Sequence, residues 1–145
     1  GFSLTTSDGE QVNSLIRGEY YLFTYTVTFN EAVDKINYGF GIRSDKGLSL
    51  NWRMYPQTGI YESMAIQQGD AFTLKWKFKC MFYPGNYYIS VTLRTIRGHE
   101  EIKINKIEDA FVFKVAQKSI EGGGYFDAEI ECKMTKCDPG HQAVP

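Results

Sequence analysis

Apolar and polar residues alternate with period two along most of this chain, and no stretch sustains a helical period. Phe2 and Leu4 open a short strand that ends at the turn Ser7-Asp8-Gly9. From Glu19 to Phe29, Tyr21, Phe23, Tyr25, Val27 and Phe29 share one face and Thr24, Thr26 and Thr28 the other. Tyr38, Phe40 and Ile42 mark a third strand. The turn Ser44-Asp45-Lys46-Gly47 joins it to Leu48, Leu50, Trp52 and Met54 as a hairpin. Pro56 and Gly59 break the chain before a strand over 61–66 and the turn Gln68-Gly69-Asp70.

The segment 71–80 is the clearest strand. Phe72, Leu74, Trp76 and Phe78 face inward; Thr73, Lys75, Lys77 and Lys79 face outward. Pro84-Gly85-Asn86 is a turn in which Pro fixes φ and Gly accepts a positive φ. Beyond it Tyr87, Ile89, Val91 and Leu93 alternate with Tyr88, Ser90, Thr92 and Arg94. Residues 98–101 turn the chain, and 110–115 form the next strand with Phe111, Phe113 and Val115 inward. Gly122-Gly123-Gly124 precedes a last expected strand, 125–133. The expectation is an all-β domain over 1–133, an antiparallel β-sandwich of about nine strands, with 134–145 a frayed tail. Without helix-length periodic segments to cover a parallel sheet, an α/β fold is not expected.

Composition agrees: 145 residues suit one domain, and aromatics at 15% favour strands. Sixteen basic residues against 17 acidic ones give a net charge of -1, which argues against general nucleic-acid binding. No apolar run is long enough for a transmembrane helix. The chain opens at Gly1, with no Met and no basic then apolar leader, and reads as a domain cut from a longer protein. Of the three cysteines, Cys80 and Cys132 each end an apolar alternation and are expected to be small buried hydrophobes. Unpaired thiols suit a reducing compartment. Cys132, Cys137 and His141 lack the second ligand pair a structural zinc site needs, so no metal is expected.

Catalytic motifs are absent. There is no P-loop, H-E-x-x-H, G-x-S-x-G or EF-hand pattern. His99 and His141 are placed in a turn and the tail. The adjacent carboxylates Glu100-Glu101 and Glu108-Asp109 read as solvated edges rather than a glycosidase pair facing across a cleft. The expectation is a non-enzyme without a cofactor.

Several stretches together resemble one family. Tyr38-Gly39-Phe40-Gly41-Ile42-Arg43 with Lys46-Gly47 looks like a G-F-x-I hairpin closed by Gly. Ile66 to Asp70 with Phe72 looks like a G-D-x-F strand entry. Phe82-Tyr83-Pro84-Gly85-Asn86-Tyr87-Tyr88-Ile89-Ser90 is similar to L-x-P-G-x-Y-x-I-x. Residues 108–115 are similar to x-D-A-x-x-F-x-V, and Gly123-Gly124-Tyr125-Phe126 to a closing G-G-x-F. In this order and spacing, from about residue 2 to about residue 133, they resemble the C-terminal carbohydrate-binding domain of Wzt-type proteins. Those are nucleotide-binding subunits of ABC transporters that export O-antigen polysaccharide.

The resemblance implies an immunoglobulin-like sandwich in the cytoplasm, peripheral to the inner membrane through the transporter. It implies binding of O-polysaccharide on its lipid carrier, so that the transporter selects its substrate. It further implies an ATPase domain N-terminal to Gly1, a membrane subunit as partner, and a homodimer open to strand exchange. No residue role is transferred from the family.

A sugar site needs flat aromatics against C–H faces and planar polar groups for hydroxyls. Trp76, Phe72, Phe78 and Tyr87 alternate with polar residues and belong to the core; Trp52, in line with Leu48 and Leu50, is placed there too. The candidate carbohydrate face is Tyr88, Ser90, Thr92 and Arg94, with Arg43, Asn51, Arg53 and Tyr55 from a neighbouring strand and Gln67 from a loop. The same face also reads as an ordinary solvated strand. Lys75, Lys77 and Lys79 read as protection of a sheet edge or as ligand steering. A protein–protein or oligomerisation sandwich without sugar binding is the alternative function.

Overall fold

A computed structural model describes residues 1–116 and 121–138. Among the described residues nine strands form, in chain order β1 (Ser3–Thr6), β2 (Ser14–Leu15), β3 (Tyr20–Thr28), β4 (Val33–Ser44), β5 (Ser49–Tyr55), β6 (Glu62–Ile66), β7 (Ala71–Lys79), β8 (Gly85–Arg97) and β9 (Glu100–Val115). One sheet has the order β1-β3-β7. The other has the order β2-β9-β8-β4-β5, with β6 also paired to β4. Every pairing is antiparallel except β2 with β9, which is parallel. The all-β sandwich expected from the alternation is the fold.

Period two explains the core. Tyr21, Phe23 and Tyr25 from β3 meet Phe40 and Ile42 from β4, Tyr87, Ile89 and Val91 from β8, and Phe113 and Val115 from β9. Trp76 is buried among them. Its ring stacks on Phe40, with centroids 5.4 Å apart, and its indole N–H donates to Tyr25 Oη at 3.0 Å. A second cluster of Phe29, Val33, Ile36, Ile66 and Leu93 closes one end. Tyr87, just inside β8, donates its hydroxyl to the Tyr83 carbonyl at 2.5 Å, the tyrosine-corner arrangement of immunoglobulin-like sandwiches. Burial pushes its hydroxyl pKa up to about 12. In β7, Lys75, Lys77 and Lys79 are exposed on the outer face of an edge strand, as edge protection requires.

Four expectations are corrected. The segment 125–133 forms no strand: Phe126 makes an isolated bridge to Phe82, and residues from Ala128 to Asp138 are exposed. Cys132 is therefore exposed, while Cys80 is buried as expected. The turn expected at 98–101 is confined to Gly98 and His99, because Ile102, Ile104 and Ile107 continue β9 back to Glu100. Thus Glu100 and Glu101 are strand residues, not turn residues, and Glu108 and Asp109 lie on the same strand. Trp52 is 59% exposed. The register explains why: Ile42 pairs with Asn51 but Arg43 with Ser49, so Leu50 is bulged. A one-residue bulge reverses the alternation, which sends Leu50 toward the core and Trp52 outward. His141 and the tail from Pro139 lie outside the described residues.

Candidate carbohydrate-binding face

The outer face of the larger sheet is read off its register. Asn37, Gly39, Gly41 and Arg43 of β4 stand opposite Arg94, Thr92, Ser90 and Tyr88 of β8. On the far side of β4, Gly39 and Gly41 stand opposite Met54 and Trp52 of β5. Glycines leave the middle of this face without side chains. A Cβ on Gly41 would meet only the Trp52 Cβ at 3.6 Å and the Asn51 carbonyl at 3.8 Å, so the floor there is open. At Gly39 the space is filled: a Cβ would lie 2.5 Å from both Met54 Sδ and Thr92 Oγ1. Gly41 therefore floors a short depression. Trp52 and Ser90 flank it about 10 Å apart, two strand spacings. Met54 and Thr92 close one end, and Arg43 on Tyr88 closes the other.

That far end is a built polar cluster. Arg43 grips Asp109 through both Nε and Nη2 at 2.7 Å, and its Nη1 donates to the Ser44 carbonyl at 2.7 Å. The guanidinium lies 4.2 Å above the Tyr88 ring centre. The β9 bulge brings Asp109 there: its φ of 53° is left-handed, and its amide donates to Ser90 Oγ at 3.1 Å. The Arg43 hydrogen bonds hold the Asp109 carboxyl below its ordinary pKa, and the same bonds raise Arg43. Two Arg43 N–H groups, the Ser90 hydroxyl proton and the outer lone pairs of Asp109 remain for a ligand. Donors and acceptors beside an exposed indole match a pyranose, which presents C–H groups on its face and hydroxyls at its rim.

Residues 56–61 fold over the other half of the face. Asn37 Nδ2 donates to the Gln57 carbonyl at 2.9 Å and the Ile60 carbonyl at 2.8 Å. The Tyr61 hydroxyl donates to Glu101, whose other oxygen lies 3.7 Å from Arg94 Nε. Burial, then the Glu101 bond, pushes the Tyr61 hydroxyl up to about 12.

The sequence-predicted residues thus separate into three groups. Tyr88, Ser90, Thr92, Arg94 and Arg43 share the outer face. Asn51, Arg53 and Tyr55 do not join them: Asn51 pairs with Ile42, Arg53 with Phe40 and Tyr55 with Tyr38, all core-facing. They rim a cleft of ≈ 830 Å³ between the sheets, with Lys75, Lys77 and Glu62 among its lining. There Tyr55 stacks on Tyr38 with ring centres 5.8 Å apart, and Arg53 covers Tyr55. Those aromatic faces are spent on one another. Gln67 lies in the β6–β7 turn, where its amide donates to Asp70 and the turn is tied to Phe29, at the Val33 end of β4. Sequence reasoning missed Trp52, Asp109 and Asn37. The Gly-x-Gly of residues 39–41 inside a strand was the one available sign of an open floor.

Comparison with known proteins agrees with this fold. A crystal structure described as the C-terminal domain of Wzt superposes with a TM-score of 0.78 at 17% identity, over 92% of this chain and 81% of that one. A search of curated protein sequences finds no match. The family model for the Wzt C-terminal domain matches residues 1–128, and the chain belongs to the Wzt C-terminal domain family.

Proposed function

We propose that this domain is a non-catalytic module that binds O-antigen polysaccharide in the cytoplasm and gives an ABC exporter its substrate specificity. The observation that carries the reading is the depression over Gly41, with exposed Trp52 on one side and the Arg43–Asp109–Tyr88 cluster at its end. One sugar ring lies on the glycine floor with its C–H face on the indole, and its hydroxyls bridge Asp109, Arg43 and Ser90. The polysaccharide arrives on its lipid carrier. An ATPase domain of the same protein and the membrane subunit of the transporter are the partners, so the domain works at the inner membrane without entering it. Membership of the Wzt C-terminal domain family supports this setting.

A second copy of the chain is the remaining partner. Phe126, Ile130 and Met134 are 62%, 89% and 97% exposed on a segment with strand alternation whose one pairing is the Phe126–Phe82 bridge. Exchange of this segment between copies would bury them.

The test is isothermal titration of the chain with O-polysaccharide purified from the source strain, beside an unrelated O-polysaccharide. Selective binding is expected. Trp52→Ala is expected to weaken it about five- to thirtyfold, since one sugar-stacking aromatic is worth about 1–2 kcal/mol. Binding of neither glycan by a well-folded dimer would favour an oligomerisation domain instead.

A further inference from the structure

Among the described residues, the buried side-chain polar atoms without a hydrogen-bond partner are Asn37 Oδ1, Thr92 Oγ1 and Arg94 Nε. All three belong to one patch. Asn37 stands opposite Arg94 and Gly39 opposite Thr92, so these four residues are the corners of a single cell of the β4–β8 ladder on the outer face. Such atoms are rare in folded proteins, and three in one cell call for a partner.

The cell is screened from the Gly41 floor by a movable group. Its glycine corner is occupied by the Met54 thioether, which packs where the Gly39 Cβ would be. Methionine is unbranched, with three rotatable side-chain bonds, and Gly39 offers no side chain to lock it. The charge of Arg94 is balanced within the cell: Glu101 lies 3.7 Å from Arg94 Nε and also accepts from Tyr61. An acceptor on Asn37, a donor on Arg94 and a hydroxyl on Thr92 are complementary to a group that both donates and accepts, and that carries no charge.

We propose that this cell is a hydroxyl-reading subsite of the glycan face. It takes one free hydroxyl of a neutral sugar as donor to Asn37 Oδ1 and acceptor from Arg94 Nε, with Thr92 Oγ1 as its third contact, once Met54 swings off Gly39. The inference rests on the glycan reading and adds a selectivity to it. A sugar that is deoxy or substituted at this position leaves the three buried atoms unpaired and is rejected, since unpaired buried polar groups discriminate strongly.

The test compares the wild-type chain with Thr92→Val and Thr92→Ser, titrated with O-polysaccharide from the source strain and melted in parallel. Valine keeps the shape and removes the hydroxyl; serine restores it. The expected result is an affinity about tenfold lower for Thr92→Val, near wild type for Thr92→Ser, and an unchanged or higher Tm for Thr92→Val in the absence of glycan. Equal binding by wild type and Thr92→Val would overturn the subsite and leave the glycan reading standing. A Thr92→Val Tm several degrees lower with unchanged affinity would show that the cell holds only structural water, which also overturns it. A wild-type chain that binds no glycan would overturn the glycan reading and the subsite with it.

Discussion

Gly39 and Gly41 lie two residues apart on one strand face, yet their surroundings demand different things of them. A methyl group at Gly39 collides with Thr92 Oγ1 and Met54 Sδ, both at 2.5 Å. Met54 can rotate away, but Thr92 is β-branched and held on β8. Gly39→Ala is therefore expected to lower stability by about 1–3 kcal/mol, the usual range for overpacking. Gly41→Ala meets ordinary van der Waals contacts and is expected to change stability by less than about 1 kcal/mol, because alanine also removes backbone freedom from the unfolded chain. Urea denaturation of the two variants checks the contrast; equal losses would contradict the contact geometry. Glycine at both positions was plain in the sequence. Which neighbour each one faced was not, because that depends on the register of three strands.

Strands in this protein are positioned by local devices as much as by alternation. The tyrosine corner is one: Tyr87 joins the start of β8 to Tyr83, ahead of the bend at Pro84, through a 2.5 Å bond from a side chain 1% exposed. Tyr87→Phe leaves the Tyr83 carbonyl without this donor and is expected to cost about 1–3 kcal/mol in denaturant titrations. A loss under about 0.5 kcal/mol would mean that the carbonyl finds another donor. Bulges are the second device. One at Leu50 turns Trp52 outward, and irregularities in the β8–β9 pairing place Asp109 beside Arg43. A period-two reading assumes an unbroken ladder. It succeeds for β3, β7 and β8, and fails on β5 and on the first half of β9, where the ladder shifts.

At the scale of the whole molecule, Phe126, Ile130 and Met134 are exposed apolar residues that alternate with Asp127, Glu129, Glu131 and Lys133. If a second copy covers them, the chain sediments as a dimer, and Phe126→Asp with Ile130→Asp yields a folded monomer with near-wild-type affinity per site, because the Gly41 floor belongs to other strands. A wild-type monomer at tens of micromolar would contradict the exchange. The two sheets also settle which candidate residues can act together. Asn51, Arg53 and Tyr55 share β5 with Trp52 and Met54 but project to the opposite face, so no single ligand on the outer face meets both sets.

Residue order alone determined the sandwich, its inward aromatic core, the lysine-bearing edge strand and the family resemblance, whereas the turn expected at Pro84-Gly85-Asn86 is a bend at Pro84 that leads straight into β8. Those four depend on local alternation and turn chemistry, which a linear string carries in full. Tertiary structure decided the site. Trp52, Gly41, Arg43, Ser90, Tyr88 and Asp109 come from four strands separated by up to 68 residues, counted from Gly41 to Asp109. They meet only because two bulges and a fixed register bring them to one face. Such shifts of a single residue are set by packing between strands, not by the residues that shift.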